Sequence, residues 1–218
     1  MKRLLLLIFV FVFGANLSAQ NFFGGMTAGG IMSQVGGDMR GGYNKLGVAG
    51  GVFVGLDLSE DIDFQLELKY IQKGSSSADM ETWTAYDPFL IKLDYLELPV
   101  VFGYNLNKIN VNGVNLKWLK FECGVSFDVL VNYRQEIRGD VVLESNPWSR
   151  VVFNTVIGAR VAVKENVEIG LRAVNSMTSI CNSFKYPYSN GNVTYIRRLF
   201  NRYGMFNDVL QIAVFWRI

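Results

Sequence analysis

From Leu46 onward, the sequence alternates between large apolar residues and polar or small residues with a period of two. In the run 46–58, leucine and valine occupy most even positions, and glycine, alanine and aspartate lie between them. After a short polar segment, the pattern resumes over 62–70. Successive side chains of a β-strand point to opposite faces, so the pattern predicts two long strands joined by a tight turn.

The same alternation recurs along the rest of the chain, in runs that begin at Leu96, Leu119, Val151, Val167 and Leu210. A weaker, glycine-rich run over 22–33 precedes them. Each run is roughly 10 to 16 residues long, which suits a tilted crossing of a bilayer. The predicted fold class is therefore all-β, an eight-stranded antiparallel up-and-down transmembrane β-barrel.

The connections between these runs are alternately long and short. The long ones are 34–45, 74–91, 132–149 and 179–206, and the short ones are 59–61, 105–115 and 164–166. Outer-membrane barrels have short periplasmic turns and longer external loops. We therefore expect a bacterial outer-membrane protein with both chain termini in the periplasm.

The N-terminus has the layout of a secretory signal peptide. Lys2 and Arg3 precede an apolar run that ends near Phe13, and small residues follow up to Ala19. A run of about ten apolar residues is too short to span a bilayer as a helix. We expect residues 1–19 to be a cleaved signal peptide and residues 20–218 to form the barrel domain.

A soluble, lipocalin-like periplasmic binding barrel is the alternative, because it alternates in the same way with its apolar face inward. The strand lengths, the alternating connections and the near absence of charge on the apolar positions favour the membrane barrel. Charge that faces lipid destabilises a barrel by about 2–4 kcal/mol at the bilayer centre.

The positions opposite the apolar face carry nearly equal numbers of acidic and basic residues. The interior of an eight-stranded barrel is just wide enough for its own side chains. We therefore expect these charges to form an ionic network that plugs the barrel, with a narrow porin-like channel for small solutes as the alternative. The predicted interior residues are Glu67, Lys69, Glu97, Lys120, Glu122, Asp128, Arg160, Glu168, Arg172 and Arg217.

The composition argues against enzymatic chemistry. The chain has no histidine, so a Ser-His-Asp triad and a histidine zinc site are excluded. We expect no catalytic residue, no metal and no cofactor, and we expect Cys123 and Cys181 to remain unpaired. A net charge of +2 on a secreted chain does not indicate nucleic acid as a partner.

The last long connection is basic and aromatic. This composition indicates a candidate interaction surface for lipopolysaccharide phosphates or for another envelope protein. The alternative is that these loop residues pack on one another. The candidate residues are Lys185, Tyr186, Tyr188, Tyr195, Arg197, Arg198 and Arg202.

The first half of the chain resembles a known family in several short motifs. They are Gly29-x-Ile31-x-Ser33, Gly37-Asp38, Gly42-Tyr43-Asn44-Lys45-x-Gly47, Leu58-Ser59-Glu60, Leu66-Glu67-Leu68-x-Tyr70-x-Gln72-Lys73-Gly74-Ser75 and Tyr95-Leu96-Glu97-Leu98-Pro99. They resemble the PorT-like outer membrane β-barrel family of Bacteroidetes. The resemblance implies an integral outer-membrane barrel without an inherited catalytic residue. A structural or interaction role follows as the expected function, for example as a subunit of an envelope, secretion or uptake assembly.

Overall fold

The computed structural model describes most of the predicted barrel domain. The described residues are 22–38, 42–77, 89–111, 114–137, 140–141, 147–181, 198 and 204–218. The predicted signal peptide lies outside them. Within this part of the chain, no helix is long and apolar enough to cross a membrane.

Eight long strands make up the fold. They are β1 (Phe22–Gly36), β2 (Lys45–Asp57), β3 (Ile62–Ser76), β4 (Phe89–Asn105), β5 (Leu119–Ile137), β6 (Val151–Lys164), β7 (Val167–Ser176) and β8 (Phe206–Arg217). Two short ladders accompany them. Asn110–Val111 pairs with Val114–Asn115 inside one connection, and Asp140–Val141 extends the sheet beside the end of β5.

The sheet closes on itself. Each long strand pairs antiparallel with the next one along the chain, and β1 pairs with β8 from Gly25 opposite Arg217 to Gly36 opposite Phe206. No barrel strand is left with an unpaired edge along its full length, which is the requirement for a sheet in lipid. The predicted eight-stranded antiparallel barrel is confirmed.

The two ends of the barrel differ in their connections. We call the end that carries the connections 58–61, 106–118 and 165–166 the turn end, and the opposite end the loop end. The start of β1 and the end of β8 both lie at the turn end. Several strands extend further towards the loop end than the alternation predicted. β5 continues to Ile137 because its last residues pair with the start of β4, so part of the expected connection 132–149 is strand.

The apolar side chains point outward and the polar ones inward. Leu46, Ile157 and Leu171 are 74%, 66% and 63% exposed on the outer wall, whereas Glu67 and Arg160 are each 1% exposed. This polarity is the reverse of that in a soluble binding barrel, whose apolar face lines a ligand cavity. The lipocalin-like alternative is therefore wrong, and the outer wall is suited to lipid.

The outward apolar band ends at polar residues near the loop end. These residues lie opposite one another across strand pairs, as Asp208 does with Gln34 and with Asn175, and as Asp94 does with Gln72 and with Asn132. Asn175 donates a hydrogen bond to Asp208 at 2.6 Å, and Asn132 donates one to Asp94 at 3.1 Å. Polar side chains at the same level on neighbouring strands indicate where the outer wall emerges from the hydrocarbon core of the bilayer.

Close backbone approach explains an inward glycine of β1. A Cβ atom at Gly29 would lie 2.0 Å from the carbonyl oxygen of Ile212 on β8. The neighbouring Gly30 faces outward, and its nearest atom to such a Cβ would be 4.0 Å away. The close approach of β8 therefore requires glycine at Gly29, whereas the space around Gly30 would admit a side chain.

We expect Gly29→Ala to destabilise the barrel by about 1–3 kcal/mol, because the added methyl group must push β8 away. Gly30→Ala is the matched control and should leave stability unchanged. Urea unfolding of the refolded protein in detergent, followed by the change in gel mobility, measures both. Equal effects of the two substitutions would show that the close approach of β8 to β1 does not determine the stability of the barrel.

Candidate functional site

Two arginines and their carboxylates fill the middle of the barrel. Arg172 on β7 donates hydrogen bonds to both carboxylate oxygens of Glu67 on β3, at 2.9 and 2.6 Å. It also donates to both carboxylate oxygens of Glu122 on β5, at 2.8 and 3.2 Å. Such paired contacts use the planar fork of the guanidinium and fix its orientation. Arg172 therefore ties three walls of the barrel together.

Arg160 on β6 extends this cluster towards the turn end. It lies 2.5 Å from Glu122 and 3.1 Å from Glu168, and it donates a hydrogen bond to Gln65 at 3.1 Å. Its guanidinium carbon is 3.5 Å from the centre of the Phe215 ring. The ring adds a cation–π contact to the ion pairs, and it excludes water from one face of the guanidinium. We call Arg160, Arg172, Glu67, Glu122 and Glu168 the arginine layer.

A second set of charges lies nearer the loop end. Lys73 on β3 donates a hydrogen bond to Asp128 on β5 at 2.6 Å, and its ammonium is 3.7 Å from Glu97 on β4. Lys69 is 3.8 Å from Glu97 and donates a hydrogen bond to Gln211 at 3.1 Å. We call Lys69, Lys73, Glu97 and Asp128 the lysine layer. All four of these side chains are fully buried, with Asp128 and Glu97 at 0% exposure.

Lys120 and Arg217 connect the network to the turn end. Lys120 lies 2.7 Å from Asp63 and 3.3 Å from Glu168, and Arg217 lies 3.8 Å from Glu168. The side chains of Glu168 and Arg217 are 14% and 27% exposed. Lys69 is 3.7 Å from Glu67, and this contact joins the two layers. The charges of the two layers, together with Lys120, Asp63 and Arg217, thus form one connected set.

The structure brings together every interior residue that the alternation predicted. It adds Lys73 and Asp63, one base and one acid, so the charges remain balanced. Both additions lie on the same parity as Glu67 and Lys69, and that parity is the signal that could have identified them. Lys73 was missed because the alternation was followed only over 62–70, and Asp63 was left out because it lies beside a turn.

The interior is not ionic along its whole length. Towards the loop end, the inward positions become apolar, and one buried cluster includes Ile71 on β3, Leu93 on β4, Val152 on β6 and Val209 on β8. The expectation of an ionic core therefore describes the middle and the turn end of the barrel only. Apolar side chains occupy most of the rest, together with small buried polar residues such as Ser33 and Ser75.

Arg198 is the only member of the candidate loop surface among the described residues. It donates hydrogen bonds to both carboxylate oxygens of Asp208, at 2.6 and 2.7 Å, and to the carbonyl oxygen of Ser176 at 2.9 Å. Its guanidinium also lies over the Phe206 ring at 5.0 Å. These contacts attach the last long connection to the barrel wall. Lys185, Tyr186, Tyr188, Tyr195, Arg197 and Arg202 lie outside the described residues.

The charged residues of the turns differ from those inside. Lys108 donates a hydrogen bond to Asp61 at 2.5 Å, and this carboxylate raises the pKa of Lys108. The Lys108 side chain is 69% exposed, so solvent screens the pair. Among the residues that the structure describes, no group of three His, Cys, Asp or Glu side chains is placed to hold a metal ion.

Comparison with known proteins finds solved structures that are similar to this chain. In the crystal structure of Neisserial surface protein A (NspA), 100% of the chain aligns with 92% of this one, at 10% sequence identity and a TM-score of 0.47. In the structure of Ail, the attachment invasion locus protein of Yersinia pestis, in complex with the heparin analogue sucrose octasulfate, 99% of the chain aligns with 91% of this one, at 9% identity and a TM-score of 0.50. No curated protein matches the sequence.

A family profile decides the assignment. The family described as "Outer membrane protein beta-barrel domain" matches residues 16–182, which include seven of the eight long strands. The closed sheet and its outward apolar wall are what such a domain requires. The chain belongs to the outer membrane protein beta-barrel domain family.

Proposed function

We propose that this protein is a structural or interaction barrel of the bacterial outer membrane, with an interior that stays filled and conducts no solute. The observation that carries the proposal is the arginine layer, where Arg172 joins Glu67 and Glu122 across the lumen. Side chains that span the lumen and satisfy one another leave no path for hydrated ions. The protein then acts through its outer surface and loops, and not through transport or catalysis.

The proposed orientation places the loop end outside the cell and both termini in the periplasm. Its support is the length of the connections, since short turns belong to the periplasm.

Residues 1–19 are proposed to be a cleaved signal peptide. The motifs of the first half support a PorT-like relative from Bacteroidetes. On this basis the partners are outer-membrane lipid, lipopolysaccharide and other envelope proteins, and the basic, aromatic segment around Arg197 and Tyr195 is the proposed contact surface.

We expect the purified protein to show no steady conductance in planar bilayers. The same should hold after Glu97→Gln, because one neutral side chain of equal size leaves the lumen filled. Stable open channels whose ion selectivity changes with Glu97→Gln or Arg160→Met would refute the filled barrel and favour a narrow solute channel.

Removing one charge from the interior should destabilise the barrel strongly. We expect Arg160→Met or Glu97→Gln to lower the free energy of unfolding by about 3–5 kcal/mol, because each leaves a buried charge without its partner. Lys108→Ala is the control, since its ion pair with Asp61 is exposed. Urea unfolding in lipid vesicles gives the comparison, and interior losses no larger than that of Lys108→Ala would contradict a structural network.

Sidedness can be tested with single cysteines in a background that carries Cys123→Ala and Cys181→Val. Cysteines introduced at Asp79 or Tyr188 should react with an impermeant maleimide in intact cells. One introduced at Glu60 should react only after the outer membrane is opened. The opposite labelling pattern would contradict the proposed orientation. Absence of the protein from the outer-membrane fraction would contradict the proposed location.

A further inference from the structure

The outer wall is covered at the loop end of β8. Phe206, Asp208 and Leu210 alternate to the outer face of this strand, but they are 0%, 6% and 40% exposed. Arg198 belongs to the last loop-end connection, residues 177–205. Its guanidinium lies over the Phe206 ring at 5.0 Å and pairs with Asp208 at 2.6 Å. This connection therefore returns to the outside of the barrel, where Arg198 covers the wall.

Asp208 is also joined to the first loop-end connection, residues 37–44. Gln34 on β1 donates a hydrogen bond to Asp208 at 3.5 Å, and its side-chain oxygen accepts one from the backbone amide of Gly42 at 3.1 Å. Gly42 has a φ of 106°, in the left-handed region that favours glycine. A Cβ atom at Gly42 would lie 2.8 Å from the side-chain nitrogen of Asn44. Glycine at this position thus lets the chain present its amide to Gln34.

Tyr43 of the first connection lies close to both charges. Burial raises the pKa of the Tyr43 hydroxyl, the charge of Asp208 raises this pKa further, and Arg198 opposes the rise. Asn175 on β7 adds a third donor to Asp208, at 2.6 Å. The two connections and three strands therefore converge on one carboxylate. We call Gln34, Asn175, Arg198 and Asp208 the clasp.

The clasp lies at the level of the lipid headgroups. Gln34, Asn175 and Asp208 are among the polar residues that mark where the outer wall emerges from the hydrocarbon. Phosphate is the group that arginine binds with paired hydrogen bonds, and a basic segment at this level faces the phosphates of the leaflet. The connection 177–205 contains no acid and four bases, which are Lys185, Arg197, Arg198 and Arg202.

We propose that Asp208 is a positioning residue of the contact surface. It joins the first and last loop-end connections at one point of the outer wall and holds Arg198, and with it the basic connection, at the level where lipid headgroup phosphates bind. Asp208 is itself an acid, so it acts on the phosphate through Arg198 and not by contact. This inference rests on the proposed function, which places the loop end outside the cell and makes the basic connection the contact surface.

The binding test uses a change whose sign separates positioning from charge. Asp208→Asn and the control Asp94→Asn each remove one negative charge from the same level of the wall, on opposite sides of the barrel. Asp94 accepts a hydrogen bond from Asn132 and lies 3.8 Å from Lys92, and both partners are strand residues. Charge alone predicts that both variants bind lipid phosphate more tightly.

We expect Asp208→Asn to weaken the binding of fluorescent lipopolysaccharide to the detergent-solubilised protein about tenfold, because a released segment must be ordered again on binding. Asp94→Asn should not weaken it. In an Arg198→Met background, Asp208→Asn should have no further effect, since the two residues act as a unit. Unchanged or tighter binding by Asp208→Asn, or a loss that persists in the Arg198→Met background, would overturn the positioning role.

The ligand is tested with two further probes. Lipopolysaccharide stripped of its phosphates should bind the parent protein and Asp208→Asn equally. Inorganic phosphate at the same concentration as the lipid should not compete. A difference between the two proteins towards the stripped lipid, or competition by inorganic phosphate, would contradict a headgroup phosphate as the ligand.

Proteolysis tests the clasp without lipid. Trypsin should cleave after Arg198 in the folded parent on the order of 100-fold more slowly than in the unfolded chain, because cleavage requires local release of the arginine. Asp208→Asn should remove most of this protection, and Asp94→Asn should retain it. Gln34→Leu should speed cleavage after Arg40 in the first connection and not after Arg198. Mass spectrometry identifies the cleaved bonds, and retained heat-modifiable mobility shows that each variant is folded.

The two failures can be told apart. Equal cleavage after Arg198 in the parent and in Asp208→Asn would overturn the clasp. A parent protein that binds no lipopolysaccharide while Arg198 stays protected would contradict the proposed contact surface and not the clasp.

Discussion

The closed hydrogen-bond ladder between β1 and β8 is the constraint on which the other features depend. Hydrocarbon offers no partner for a backbone amide or carbonyl, so a sheet in lipid has to close. Closure with eight strands fixes the radius, and at that radius the lumen holds side chains and little else. Whatever faces inward must therefore pack against the opposite wall.

Charged side chains can fill such a lumen only when they satisfy one another. Taking a charge out of water destabilises the fold by several kcal/mol unless ion pairs and hydrogen bonds offset it. Arg172 meets this condition with bidentate contacts to Glu67 and Glu122, and Arg160 adds Glu168 and the face of Phe215. The balance of acids and bases is thus a physical requirement of the closed barrel, and it needs no catalytic explanation.

The two fillings of the lumen have different physical characters. The ionic layers are directional, so they specify which walls meet and in what register. The apolar cluster at the loop end is not directional, and its side chains fill much of the rest of the lumen. A barrel built in this way leaves its loops and outer wall for contacts with other molecules, and Arg198 attaches the last connection to Asp208 on that wall. This division is consistent with a protein that works by contact at the membrane surface.

The sequence by itself determined the number of strands, the two faces of each strand and most of the charged residues that point inward. In a barrel strand each side chain points either into the lumen or towards the lipid, and charged residues are strongly disfavoured on the lipid-facing side. Only the tertiary structure decided which charges meet. Glu67 and Arg172 are 105 residues apart and lie on opposite walls, so their contact depends on the radius and stagger of the closed sheet. Part of the apolar cluster at the loop end was equally hidden, because Trp148, Cys181 and Met205 belong to irregular segments without periodicity and come together only through bridges between separate connections.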